Sequence, residues 1–208
     1  MQPLLLWVLG GLFIGVLFVM FKKTKSKKPD TVPVKSLADA KITDARAGDT
    51  VSVLGSGDEF DDLDFTVDRR NRYESGDDNW HEVSGLYRGR RVFVEFYEDD
   101  VLEVSFTKTM KPLSLKDLGL EESDLIRMDD ERTRANSFEH DGVTWSYKSS
   151  QEVVYFKNGT GEGEGFYSWE FESPDGRRLL FIEKWEDEPF EAGIAETVDP
   201  GDVRVFRT

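Results

Sequence analysis

Residues 90–106 read RRVFVEFYEDDVLEVSF. Val92 to Tyr97 alternates, with large β-branched and aromatic side chains on both faces. Three acids, Glu98, Asp99 and Asp100, interrupt the run. Val101 to Phe106 then resumes the alternation and puts Leu102, Val104 and Phe106 on one side. A period of two marks an extended strand, because successive side chains point to opposite faces of the pleat. Working outward, the same pattern recurs at Phe65–Val67, Val143–Tyr147, Val153–Phe156, Phe166–Phe171, Leu179–Trp185 and Val203–Phe206. Asp141-Gly142, Asn158-Gly159 and Asp175-Gly176 supply turn chemistry between runs.

The expected fold is therefore mainly β, an antiparallel domain of about ten to twelve short strands. Residues 112–136 form a connector with the one clear helical patch, Ser114-Leu-Lys-Asp-Leu-Gly, capped by Ser114 and stopped by Gly119. A second turn is expected at Glu121–Ile126, and Ser36-Leu-Ala-Asp is a further helical start. The domain runs over 36–208, in halves of about 45–111 and 137–206. The halves resemble each other. Gly89-Arg-Arg with Glu95 and Tyr97 aligns with Gly176-Arg-Arg, Glu183 and Trp185, and Trp80-His-Glu aligns with Trp169-Glu-Phe. Two related β-units from an internal duplication are expected.

Upstream, Pro3 to Phe21 is PLLLWVLGGLFIGVLFVMF, without a charge. A helix of that length spans about 28 Å, close to a bilayer core. No base precedes it and no small-residue cleavage site follows, so residues 1–21 read as a retained transmembrane helix. Lys22, Lys23, Lys25, Lys27 and Lys28 follow it, in a tether over 22–35. They contact anionic headgroups, and by the positive-inside rule the N-terminus lies outside and the rest in the cytoplasm, at the cell membrane. Gly11 and Gly15 form a small-xxx-small face on which two such helices could meet as a homodimer.

Five of the 27 basic residues lie in that tether. The rest of the chain keeps 22 bases against all 42 acids, a net charge of −20. This excludes nucleic acid as a partner of the domain, since phosphate is repelled, and opposes its adsorption to anionic lipid. Without cysteine there is neither a disulfide nor a thiol nucleophile.

Asp58, Glu59, Asp61, Asp62 and Asp64 crowd one loop and are the candidate contacts for a cation or a basic partner. Their spacing is not that of an EF-hand. His81 and His140 are weak metal candidates, with only carboxylates to complete a site. Asn158 to Gly165 is glycine-rich, but it lacks the Gly-Lys-[Ser/Thr] of a phosphate loop and carries Glu162 and Glu164. The arginines of Arg69-Arg70-x-Arg72 and Arg88-x-Arg90-Arg91 are expected to pair with acids across strands. Trp80, Trp145, Trp169 and Trp185 are expected in the core. No catalytic triad or elbow is present, and no motif asks for a cofactor.

Diffuse positions also carry a family resemblance. They are Ala47-Gly-Asp-Thr-Val-Ser-Val-Leu, Phe65-Thr-Val-x-Arg-Arg-Asn-Arg-Tyr-Glu and Trp80-His-Glu-Val. In the second half they are Phe138-Glu-His-Asp-Gly-Val-Thr-Trp-Ser-Tyr, Tyr167-Ser-Trp-Glu-Phe, Leu180-Phe-Ile-Glu-Lys-Trp-Glu and Phe190-Glu-Ala-Gly-Ile-Ala-Glu-Thr-Val. Over about 45–206 the chain resembles the DUF4178 domain, a family of unknown function. The resemblance implies a β-rich, two-part fold and no particular reaction. The expected role is a membrane-anchored interaction or scaffold module that recruits a protein partner. The alternative is a module sensing a cation, a polyamine or another small ligand; an enzyme comes third.

Overall fold

The computed structural model describes residues 40–108 and 112–207. The expected membrane helix, its lysines, Gly11, Gly15 and the Ser36 helical start lie outside the described residues. Among the described residues no helix is long and apolar enough to cross a membrane.

Among the described residues there are eleven antiparallel strands: β1 (Thr50–Val53), β2 (Leu63–Ser75), β3 (Asp78–Tyr87), β4 (Arg90–Glu98), β5 (Leu102–Lys108), β6 (Ser137–His140), β7 (Val143–Phe156), β8 (Glu164–Glu172), β9 (Arg178–Trp185), β10 (Glu191–Val198) and β11 (Val203–Phe206). Two helices, α1 (Leu115–Leu118) and α2 (Glu122–Glu131), fill the connector. In α1 Ser114 and Asp117 close a capping box, and Gly119 ends the helix with a left-handed φ of 70° that glycine adopts without strain.

Eight strands close on themselves. Their order is β2-β3-β4-β5-β10-β9-β8-β7, and β7 pairs back onto β2 through Tyr73↔Tyr155. A closed ring leaves no free edge among these eight. The first and second five strands enter it alike. β1 extends β2 and β6 extends β7, while β5 meets β10 and β2 meets β7. Both long strands slip register, β2 between Val67 and Arg69 and β7 between Tyr147 and Ser149. Such bulges bend a strand, so each leaves its flanking sheet and joins the ring. The runs Val143–Tyr147 and Val153–Phe156, read from sequence as separate strands, are thus two parts of β7. The register also corrects the alignment of the halves. His81 pairs with Phe96, and Phe166 pairs with Trp185, so Phe166 and not Trp169 occupies the station of Trp80.

Alternation along the ring strands sorts side chains into two kinds of surface. The outer faces carry two apolar cores. In one, β1, β11 and the start of β2 bring Val51, Leu63, Phe65 and Val205 onto Val83, Val94 and Phe106. In the other, α1 and α2 bring Leu118, Leu125 and Met128 onto Trp145, Trp169, Phe171, Leu180 and Ile182. The inner face is different. It carries aromatic rings and carboxylates, and it encloses a cavity.

Candidate functional site

The cavity measures about 440 Å³ and takes its walls from all eight strands of the ring. Period two decides what points inward. Because Val83, Val94 and Ile182 face the outer cores, Glu82, Glu95 and Glu183, one residue along, face in. Glu82 and Glu95 are direct cross-strand partners on β3 and β4, and Ser105 of β5 continues the row.

Glu82 is 6% exposed. Its oxygens accept hydrogen bonds from Asn71 Nδ2 at 2.7 Å and from the Tyr73 hydroxyl at 3.2 Å. Burial still outweighs these bonds and pushes the carboxyl up to about 7. Glu95 is half-buried on the cavity wall, and no described side chain donates a hydrogen bond to it. Burial, then the charges of Glu82, Glu183 and Glu170, push it up to about 8. Glu183 is raised by burial, although Trp185 Nε1 donates to it at 3.0 Å. Glu170 meets Lys148 at 3.0 Å. Among the described residues lining the cavity Lys148 is the sole cation, against Asp78, Glu95, Glu103, Glu170 and Glu183.

Aromatic rings stand beside these acids. Tyr73 stacks on Trp80 with centroids 5.4 Å apart, and Phe166 stacks on Trp185 at 4.3 Å. Tyr155 meets Tyr73 and Trp185 at the seam where β2 joins β7. The four tryptophans expected in the core therefore divide. Trp145 and Trp169 are buried in the second outer core. Trp80 lines the cavity, and Trp185 stacks on Phe166, which also lines it. Sequence reasoning placed Glu95, Glu170 and Glu183 in strands but assigned them no role, and placed Glu82 in no named strand run. The usable signal was Val92–Tyr97, where large residues on both faces exclude an ordinary solvent side.

The loop acids are not part of this cavity. Asp58 pairs with Arg90 and lies 3.7 Å from Arg88, Asp61 takes Arg88 at 2.6 Å, and Asp62 accepts the Gly55 N–H at 2.9 Å. Arg90 heads the interactions that hold Asp58 below the usual carboxylate range. Asp64 sits on β2 opposite Ser52, and Glu59 has a φ of 56° in the turn. The arginine reading thus holds here and at Arg91, which grips Asp68 with two bonds of 2.8 Å. His81 stacks on Phe96, and burial lowers its pKa. His140 lies 3.7 Å from Asp141. Neither histidine lines the cavity, and no group of three or more potential metal ligands converges among the described residues.

The chain belongs to the family described as a domain of unknown function, DUF4178, which matches residues 47–200. No curated protein and no solved structure matches it.

Proposed function

We propose that the domain is a receptor for a small organic cation, housed in the strand ring and carried at a membrane by residues 1–21. The observation that carries this reading is the half-buried carboxyl group of Glu95, without a hydrogen-bond donor among the described side chains, on the wall of a cavity that holds five acids and one lysine. A buried carboxylate without a partner is costly. A cation between Glu95 and Glu183 supplies the missing partner, and ring faces nearby add cation–π attraction. The symmetric strand order and the paired stations Glu95 and Glu183 further support descent of the ring from a duplicated five-strand unit.

A second reading, recruitment of a protein partner, draws on Phe60. It is 93% exposed, and its φ of 68° beside that of Glu59 fixes the tip of the acidic loop. Such outliers cluster at recognition sites.

Thermal denaturation of the full chain in detergent with choline, agmatine and pentylamine tests the receptor reading, with neutral pentanol as control. At saturation at least one ammonium or guanidinium compound is expected to raise Tm, pentanol is not, and Glu95→Gln is expected to abolish the shift. No shift with any of the three cations overturns the reading.

A further inference from the structure

Acidic side chains do not occupy one point of this cavity; they are graded along it. The inner row holds Glu95, with Ser105 beside it and Glu183 across the ring. One inward-facing station nearer the rim, Tyr97 pairs with Glu103. Asp78 lies further out on β3 and accepts a hydrogen bond from the Tyr97 hydroxyl at 3.1 Å. Glu103 and Asp78 are exposed at the rim, while Glu95 is half-buried. A strand rises about 3.3 Å per residue, so Glu103 stands about 7 Å from the Glu95 level. Asp78, four residues before Glu82, stands about 13 Å out.

Besides these acids the cavity wall carries Trp80, Leu179 and Phe181, interleaved with Ser149, Gln151 and Thr197. Lys148, the one lining cation, is taken by Glu170, so neither the inner nor the rim acids have a basic side chain of this chain against them among the described residues. Acidic groups thus stand at both the depth and the rim, with apolar side chains set among polar ones along the wall. A compact cation such as a metal ion satisfies only one end of it. A single-headed amine leaves the rim acids facing water and gains only from the inner end.

Resting on the reading of this cavity as a cation site, we propose that its ligand is a linear aliphatic diamine or longer polyamine. One ammonium group sits between Glu95 and Glu183. The methylene chain runs along Trp80, Leu179 and Phe181, and a second ammonium group meets Glu103 and Asp78. Two charges on one flexible chain bind as linked sites, so the second contact multiplies the first.

Calorimetry on the full chain in detergent, at fixed pH and ionic strength, compares cadaverine, pentylamine and pentanediol. Cadaverine is expected to bind at least tenfold tighter than pentylamine, and pentanediol not measurably. The double variant Asp78→Asn, Glu103→Gln is expected to bring cadaverine down to the level of pentylamine while leaving pentylamine unchanged. Glu95→Gln is expected to weaken both amines at least tenfold. Asp130→Asn, an acid on the exposed side of α2, is expected to change neither, which separates the cavity from general attraction to an acidic protein. Equal affinity for cadaverine and pentylamine overturns the two-headed ligand and leaves the cation site standing. Binding of neither amine overturns both. Equal loss in the Asp130→Asn and rim variants also overturns the two-headed ligand.

Discussion

Glu95 shows how a single carboxyl group connects folding to binding. Its pKa in the folded chain is about 8, and burial beside Glu82, Glu183 and Glu170 is the cause. In the unfolded chain the group titrates near 4.5. The folded state therefore binds the proton more tightly, and its contribution is complete below about pH 4.5 and lost as pH rises through 8. Glu82, raised to about 7, acts in the same direction over a narrower range. In the absence of ligand the domain is expected to lose stability between pH 5 and pH 8. Glu95→Gln removes the ionisation and keeps the shape. It is expected to raise stability at pH 8 by about 1–3 kcal/mol and to change it little at pH 5. Urea unfolding at the two pH values measures this, and an equal effect at both would show that the Glu95 carboxyl is not desolvated.

Among the elements, hairpins were readable from sequence and closure was not. Val92–Tyr97 falls within β4 and Leu102–Phe106 within β5, since neighbouring runs joined by turn residues pair locally; Val203–Phe206 is β11 as the alternation predicts, but it pairs with the distant β1. The β2–β7 seam joins residues 82 apart, Tyr73 and Tyr155, and no local pattern encodes it. The cavity escaped notice for a related reason. In most antiparallel sheets the polar face of an alternating strand meets water; here the ring folds that face inward, so Glu82 and Glu95 resemble ordinary surface acids. The bend that makes this possible depends on Gly85, opposite the β2 bulge. A Cβ there would fall inside contact distance of the Thr66 carbonyl oxygen and the Phe65 ring. Gly85→Ala is expected to cost about 1–3 kcal/mol, because backbone must move. It should appear as a lower urea midpoint with an unchanged slope. Gly165→Ala in β8, where an added Cβ meets nothing within 4 Å, is the control and is expected to shift stability by no more than about 0.5 kcal/mol. Equal effects of the two substitutions would show that β2 does not need the close approach.

At the scale of the molecule, charge is distributed with a direction. The first 21 residues carry none, the next seven carry five lysines, and everything beyond carries a net −20. A helix inserts with its more basic flank toward the cytoplasm, and acids contribute little to that choice. The acidic domain is therefore not expected to reverse the orientation proposed from Lys22, Lys23, Lys25, Lys27 and Lys28. This orientation also fits the proposed ligand, since diamines and polyamines are charged at neutral pH and cross bilayers poorly. The proposed receptor, if held on the lysine side as proposed, would meet the cytoplasmic pool. A fluorescent protein that matures only in the cytoplasm, fused after Thr208 of the full chain, is expected to fluoresce in the membrane fraction of intact cells. Reversing the bias, with all five lysines changed to glutamine and three lysines added before Pro3, is expected to abolish that fluorescence. Fluorescence from the soluble fraction, or a signal that survives the reversed bias, would overturn the assignment of residues 1–21 as an orienting anchor.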